Sequence, residues 1–264
     1  MMRILFHNHR NHRLRSLSIY TLLTLFPLMA NAQVGEYRTD LAIGVNGGYM
    51  MNRISFQPEV PQSNMGGMTG GLTIRYTCEK YFSSICAITA EVNYGQMGWK
   101  ENIFDINNSP VYYQDDPDNP LFYERRINYV QIPLLARLGW GRERRGVQAF
   151  IQVGPQLGFV LSESTNTNIQ PGYGTVNPRS SSIVAQETMP VEKKFDYGIT
   201  GGAGVELSLP KLGHFLVEAR YYFGLGNIYG NSKQDYFGKS NNSTIIIKAS
   251  YLFDIIKTKN DKIK

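Results

Sequence analysis

The chain has 264 residues, of which 42% are hydrophobic and 18% are charged, and its formal net charge is +6. Residues 1–32 hold four arginines and no lysine, aspartate or glutamate, so the charge falls to +2 without them, which excludes the concentrated basic surface that nucleic-acid binding needs. Three of the four histidines lie in the same segment and leave His214 alone for a triad or a metal site, so we expect no catalytic residue, no metal and no cofactor.

The N-terminal segment has the features of an export signal. The basic stretch MMRILFHNHRNHRLR precedes the apolar stretch SLSIYTLLTLFPLMANA, which ends in Ala30, Asn31 and Ala32. A basic start, a short apolar run and an A-x-A cleavage site predict a secretory signal peptide over residues 1–32. The alternative is an uncleaved N-terminal anchor, although the run is too short for a comfortable helical span.

Eight stretches of roughly ten residues follow, each with hydrophobic residues at every second position. This period of two predicts β-strands with one apolar face. The predicted strands cover residues 41–50, 67–78, 86–98, 126–139, 147–160, 195–208, 214–226 and 243–254.

The connections between these strands alternate in length. The long ones cover residues 51–66, 99–125, 161–194 and 227–242, and the short ones cover residues 79–85, 140–146 and 209–213. Tight periplasmic turns and long external loops are typical of barrels in an outer membrane. We therefore predict an all-β fold, an eight-stranded antiparallel up-and-down transmembrane β-barrel over residues 33–256, surrounded by outer-membrane lipid. The even strand count places both termini in the periplasm, the C-terminus as a basic tail over residues 257–264.

The predicted sixth strand begins FDYGITGGAGVEL, at residues 195–207, and shows the two faces of the sheet. Large apolar residues occupy most odd-numbered positions, and the even-numbered positions include Gly198, Gly202, Gly204 and Glu206. The interior of an eight-stranded barrel is just wide enough for side chains, so inward glycines leave room for inward charges. Charges of both signs in a low-dielectric lumen are expected to pair, rather than to act as catalytic acids and bases. The predicted lumenal charge network consists of Arg75, Glu91, Arg137, Glu206, Glu218 and Arg220.

Aromatic residues gather near both ends of the predicted strands. Such positions are typical of the two interfacial girdles of a membrane barrel. The expected girdles contain Tyr49, Tyr94, Trp99, Phe159, Phe195, Tyr197, Tyr221 and Phe223 toward the long loops, and Tyr76, Trp140, Tyr251 and Phe253 toward the short turns.

Two cysteines, Cys78 and Cys86, flank the first short turn. A metal site would need two more soft ligands, and none is close in the sequence. In an exported protein, two cysteines across a short turn predict a disulfide.

Four stretches resemble one family. They are YVQIPLLARLG (129–139), GITGGAGVEL (198–207), VEARYYFGL (217–225) and a last strand that ends in SYLFD. Together they resemble the PorT-like outer-membrane β-barrel family of Bacteroidetes-type bacteria over roughly residues 41–254. Because the named member is implicated in type IX secretion, the resemblance implies a non-enzymatic accessory or assembly role in protein transport, with secretion-system components as partners.

Three other motifs favour structural interpretations. GITGGAG is no phosphate loop, because no helical pattern follows it. Asp115, Asp116 and Asp118 could hold calcium, but their spacing fits no ligand template and favours a solvated external loop. The basic turn GRERRG, residues 141–146, could touch lipid headgroups or a periplasmic partner, but most such charge runs are simply solvated.

Three other functions compete with the accessory role. A lipase or acyltransferase needs a histidine beside a serine or an acid near the external rim, whereas His214 begins the seventh strand on the periplasmic side. We therefore expect no enzyme. An adhesion, binding or structural barrel that acts through its external loops is the stronger alternative, and a small porin-like channel is the third.

Overall fold

The computed structural model describes residues 36–81, 83–142, 145–170, 174–230 and 235–257. The predicted signal peptide and the tail from residue 258 onward lie outside these residues. In chain order the elements are β1 (Glu36–Gln57), β2 (Gln62–Ser63), β3 (Met65–Tyr81), β4 (Ser84–Glu101), β5 (Tyr112–Tyr113), β6 (Asp116–Pro120), β7 (Tyr123–Gly141), β8 (Gly146–Thr167), α1 (Ala185–Thr188), β9 (Phe195–Leu209), β10 (Gly213–Asn227) and β11 (Lys239–Ile256). Among the described residues, no helix is both long and apolar enough to cross a membrane.

Eight long strands form a closed ring. Their order around the ring is β1, β3, β4, β7, β8, β9, β10 and β11, and two pairings close it, β4 with β7 and β11 with β1. The β1–β11 ladder runs from Leu41↔Ile256 to Gln57↔Lys239. A closed ring removes the unpaired edges that an open sheet would expose. The prediction of an eight-stranded antiparallel up-and-down barrel is confirmed.

The two ends of the ring differ. At one end, here called the short-turn end, tight turns join β3 to β4, β7 to β8 and β9 to β10. Gly213 has a φ of 104° where the chain enters β10, a conformation that glycine adopts without strain. The described chain also begins and ends here, at Glu36 and Lys257. The opposite end carries the long connections and is here called the long-loop end.

A belt of apolar side chains covers the outside of the ring. Its members include Leu72, Ile74, Ile88, Val92, Leu134, Ile151, Val153, Ile199, Val205, Phe215, Val217, Ile245 and Ile247, all of them exposed. Eleven of the twelve predicted girdle aromatics are exposed on the same surface. The prediction is wrong for Trp99, which is 0% exposed. Trp99 has the parity of Glu91 and Asn93 and therefore points inward, although it lies near the end of its strand.

The strands run further toward the long-loop end than predicted. β1 and β8 have 22 residues each, about twice the 9–11 that a membrane-crossing strand needs. Beyond the apolar belt the outer face of a strand can be polar, so the alternation that marks a strand in the sequence is lost. Residues 161–167, LSESTNT, therefore fall in a long connection of the sequence prediction, whereas the structure places them at the end of β8.

Candidate functional site

The lumen is built around glycines of β9. A Cβ atom on Gly204 would lie 2.6 Å from Cζ of Phe150 and 2.7 Å from Cβ of Glu218. A Cβ atom on Gly202 would lie 2.9 Å from Cγ of Arg220. The missing side chains of β9 therefore leave the space in which the large and charged groups of β8 and β10 lie.

Four buried charges fill the middle of the barrel and form what we call the central cluster. Arg220 donates from Nη1 and Nη2 to the two carboxylate oxygens of Glu91, at 2.9 and 2.7 Å, and lies 2.7 Å from Glu218. The Lys248 ammonium is 2.6 Å from Glu91 and 3.4 Å from Glu218. Glu91 belongs to β4, whereas its partners belong to β10 and β11, so the pairs span the lumen. The two carboxylates of the central cluster therefore balance its two cations.

A second group of charges, the short-turn cluster, surrounds Glu206. Oε2 of Glu206 accepts from Arg75 Nη1 at 2.6 Å and from Arg137 Nη2. Oε1 of Glu206 lies 2.6 Å from Nδ1 of His214, whose Nε2 lies 3.0 Å from the Asp254 carboxylate. These contacts join β3, β7, β9, β10 and β11 beside a cavity of about 40 Å³.

One part of the short-turn cluster resembles a catalytic triad. Ser208 Oγ lies 2.8 Å from His214 Nδ1, and Asp254 contacts Nε2 of the same ring. A nucleophilic serine needs a ring nitrogen that accepts its proton. Here Glu206 also contacts Nδ1, so both ring nitrogens face carboxylates and are placed to donate to them. The arrangement suits a clamp that holds three strands together.

All six residues of the predicted lumenal network are buried and lie within these two clusters. The sequence predicted one network across the middle of the barrel, whereas the structure divides the charges between two levels. Glu218 pairs in register with Gly204, so Glu206 lies two residues closer to the short-turn end. Ser208 and Asp254 were missed because neither strand pattern nor spacing shows that they meet His214.

Above the belt, the long connections and the outer strand ends form a cap with an apolar core. Phe56 is central to it, with ring centroids 5.3 Å from Trp99 and 5.0 Å from Phe237. The buried core of the cap consists of Met50, Ile54, Phe56, Val60, Met97, Trp99, Ile103, Val111, Tyr113, Leu121, Tyr123, Ile127, Tyr129, Val191, Tyr222, Ile228, Tyr229, Phe237 and Ile246.

The short helix α1 sits in this cap. Its residue Gln186 is 0% exposed, and the hydroxyls of Tyr123 and Tyr229 donate to its carbonyl oxygen at 3.4 and 3.3 Å. The Gln186 side-chain amide donates to Glu101 at 3.1 Å. The cap therefore holds the connection between β8 and β9 in a fixed position over the barrel.

Glu101 is a buried acid of the cap, seven residues beyond the girdle residue Tyr94 on β4 and so outside the apolar belt. Burial, together with the nearby Glu187 carboxylate, raises the pKa of Glu101 from 4.5 to about 7. Hydrogen bonds from Trp99 and Gln186, and Arg179 at 3.5 Å, oppose that rise in the pKa only in part.

The other sequence motifs lie at the two ends. Asp116 and Asp118 lie on β6, whose residues are all exposed, and the Asn119 amide donates to the Asp116 carboxylate at 2.9 and 3.0 Å. Within the described ranges, no group of three or more His, Cys, Asp or Glu side chains is placed to hold a metal ion. Residues 143 and 144 of the basic turn lie outside the described residues.

The two cysteines lie on neighbouring strands. Cys86 of β4 pairs in register with Glu79, and Cys78 occupies the irregular position between Thr77 and Glu79 on β3. Both side chains are free thiols in the structure. The disulfide stays a prediction, and mass spectrometry of unreduced peptides from protein purified without reductant tests it. Two free thiols in that preparation would show the prediction to be wrong.

The family model that matches this chain agrees with the architecture. A family model described as an outer membrane protein beta-barrel domain matches residues 31–230. OprG from Pseudomonas aeruginosa is 13% identical, covers 83% of this chain and 98% of its own, and has a TM-score of 0.39. Ail from Yersinia pestis is 12% identical, covers 80% of this chain and 98% of its own, and has a TM-score of 0.32. Neisserial surface protein A is 9% identical, covers 81% of this chain and 97% of its own, and has a TM-score of 0.38. No curated protein matches the chain.

Proposed function

Because this chain belongs to the family of outer membrane protein beta-barrel domains, we propose that it is a closed, non-enzymatic barrel that serves as an accessory or assembly factor for protein secretion. The barrel anchors the chain in the outer membrane, and the cap presents a fixed surface to components of the secretion system. In this proposal the long-loop end faces outward and both termini face the periplasm.

The filling of the interior carries the proposal of a scaffold rather than a channel. The short-turn cluster occupies one end of the lumen, the central cluster occupies the middle, and the apolar core with α1 occupies the long-loop end. An eight-stranded barrel has no aqueous passage once its interior side chains are packed. Planar-bilayer recordings on refolded protein should therefore show no steady conductance, and a porin-like conductance would contradict the proposal.

The lengths of the connections support the orientation. Outer-membrane barrels place short turns in the periplasm and long loops outside. Epitope tags near residues 115 and 175 should be accessible on intact cells, whereas tags at residue 143 or at the C-terminus should become accessible only after the membrane is opened. The reverse labelling pattern would overturn the orientation.

The secretion role rests on the four stretches that resemble the PorT-like family, and it is compatible with a closed barrel because an accessory factor needs a surface and not a pore. Deletion of the protein should lower the amount of type IX cargo in the medium and on the cell surface, and expression of the intact chain should restore it. Unchanged cargo export after deletion would overturn this role.

Adhesion through the cap is a second candidate, and one observation favours it. Ile106, Val176 and Val184 lie on long connections and are 83%, 54% and 42% exposed. The Ser180 N–H donates to the Phe104 carbonyl at 2.8 Å, which brings the connections that carry Ile106 and Val176 together. Exposed apolar side chains that lie together on a structured surface suit contact with another macromolecule. If adhesion is the function, Ile106→Ser and Val176→Ser should weaken attachment of cells to surfaces and leave cargo export unchanged.

A further inference from the structure

The outer part of β8 lacks a partner strand on one side. β8 pairs with β9 only as far as Phe159↔Phe195, yet β8 itself continues to Thr167. On the other side it stays paired with β7, up to Tyr123↔Thr167. Residues 161–167, here called the β8 edge, therefore present one row of backbone N–H and C=O groups that is not used within the barrel.

A bulge explains where the pairing ends. The β7–β8 register passes from Tyr129↔Val160 to Asn128↔Ser162, which leaves Leu161 as the extra residue. A bulge bends its strand, so the chain above Leu161 departs from the path that β9 follows.

Burial and hydrogen bonding agree with an open edge. All seven residues of the β8 edge are exposed, whereas residues 123–128 of β7 are buried or half-buried. Just below the edge, the Val160 N–H donates to the Lys194 carbonyl at 2.8 Å. Above that bond, the described residues make no backbone–backbone hydrogen bond on the side of the edge that faces away from β7, and the Val191 N–H reaches the edge only through the Glu163 side chain.

The sequence of the edge, LSESTNT, has few of the features that normally protect a strand. It contains no proline and no lysine, and its one charged residue is Glu163, whose carboxylate accepts from the Val191 N–H at 3.3 Å. Edges that must stay free usually carry lysine or proline, lie under a loop or twist away at a bulge, and of these features the β8 edge has only the bulge at Leu161, its first residue. An open edge of six further residues without lysine, proline or a covering strand favours the addition of a strand.

We propose that the β8 edge is the docking site for an extended segment of another protein, which joins the sheet as an additional strand. This inference rests on the proposed function as a binding scaffold and names the chemistry of the partner. The segment spans about seven residues, or roughly 23 Å, and keeps its alternate backbone amides free for the ladder. Its side chains are small or β-branched and polar, which suits the serines, threonines and asparagine of the edge.

Geometry excludes the other occupants. Strands of a membrane barrel tilt by roughly 40°, and two copies in one membrane are related by an axis along the membrane normal, so their edges would cross at roughly 80° and could not pair. The described chain enters β1 and leaves β11 at the short-turn end, on the other side of the apolar belt from the β8 edge. The covering strand is therefore expected to come from a different protein.

Hydrogen exchange of the protein in lipid nanodiscs tests whether the edge is open. In an antiparallel ladder, alternate residues direct their N–H groups to opposite sides. Over residues 162–167, amides that face β7 should exchange at least about tenfold more slowly than those that face away. Slow exchange at every position would mean that the edge is already covered and would overturn the proposal.

A synthetic peptide tests strand addition directly. The probe is TSTVTST, a synthetic peptide of small and β-branched residues that matches the seven-residue length of the edge and the side chains proposed for the partner. At millimolar peptide the fast amides of the edge should slow at least about tenfold, and the same peptide with alternate amides N-methylated should have no effect. Absence of protection by the unmodified peptide would overturn the proposal.

A pair of proline variants links the edge to function in cells. Of Ser164→Pro and Thr165→Pro, the variant at the fast-exchanging position should keep the stability of the barrel, abolish protection by the peptide and lower cargo export. The other variant removes a bond to β7 and serves as a control for destabilisation. If deletion abolishes cargo export but the folded proline variant at the fast-exchanging position exports cargo normally, the docking proposal for the β8 edge is wrong and the secretion role is kept. Unchanged export on deletion would instead overturn the secretion role, and the peptide experiment would then decide the edge alone.

Discussion

The lumen and the cap fill the same barrel with opposite chemistry. In the lumen, Glu91, Arg220 and Lys248 form buried ion pairs between strands that lie across the barrel from one another. In the cap, Phe56 and Trp99 pack in an apolar core. The side chains that hold the strands together are therefore mainly charged in the lumen, apart from a small apolar cluster of Ala42, Phe150, Leu216 and Leu252, and mainly apolar in the cap.

A single strand shows the reason for this difference. On β7, Ile132 and Leu134 face outward and are exposed, whereas Ile127 and Tyr129 face inward and are buried. Within the belt, the apolar side chains contact lipid, so the polar side chains point into the lumen and form hydrogen bonds and ion pairs with one another. Beyond the belt the outside is wet, so the apolar side chains turn inward as in a soluble protein. The polarity of the sheet inverts at the girdle.

Removing one acid from the lumen should have the largest effect. Glu206→Ala leaves Arg75 and Arg137 without their shared carboxylate, and Glu218→Ala leaves Arg220 with fewer partners. Breaking a buried pair from one side costs roughly 3–5 kcal/mol, because an uncompensated charge stays behind. Urea unfolding of refolded protein in lipid vesicles measures the loss. Val217→Ala, at a lipid-facing position, is the control, and an equal loss there would contradict a role for the charge clusters.

A cavity in the cap should cost somewhat less. Ile127→Ala removes a side chain that is 0% exposed, and such truncations cost roughly 2–5 kcal/mol. The matched variant Ile132→Ala lies on the same strand but is 37% exposed on the belt, and should cost much less. Limited proteolysis within residues 168–194, the connection between β8 and β9, shows whether the loss of stability is confined to the cap. Faster cleavage in Ile127→Ala, with a protease-resistant barrel, is expected, and equal cleavage of the two variants would contradict a separate cap core.

The sequence predicted the lumen well and the cap poorly, and the inversion of polarity explains both outcomes. Inside the belt, alternation is enforced by lipid, so the parity of Glu206 or Val217 could be assigned without a structure. In the cap, the core is assembled from long connections, and no local period indicates that Val111, Val191 and Phe237 meet. The triad-like contact between Ser208 and Asp254 through His214 was missed for a similar reason, since it joins three strands.

The buried acid of the cap should make the stability of the cap depend on pH. The pKa of Glu101 is raised from 4.5 to about 7 by burial, so the folded cap keeps this proton over a range in which the unfolded chain has lost it. Between these two values the folded state binds more protons, and stability should fall by roughly 3 kcal/mol as the pH rises, then stay level above pH 7. Proteolysis of the cap between pH 4.5 and 8 measures this. Glu101→Gln should flatten the profile, and an unchanged slope in that variant would assign the effect to another group.

The smallest effect is expected at Asp196, an acid of the lumen with a different kind of partner. Its carboxylate accepts from the Tyr222 hydroxyl at 2.9 Å and the Asn242 amide at 2.8 Å, and the described residues place no lysine, arginine or histidine within ion-pair distance of it. Asp196→Asn leaves no cation uncompensated and should change the unfolding free energy by less than about 1 kcal/mol. Glu218→Gln, an equally conservative change, removes a charge that faces Arg220 and should cost more than about 2 kcal/mol. Equal losses in urea unfolding would mean that the lumen is stabilised by hydrogen bonds of carboxylates in general and not by the pairing of charges.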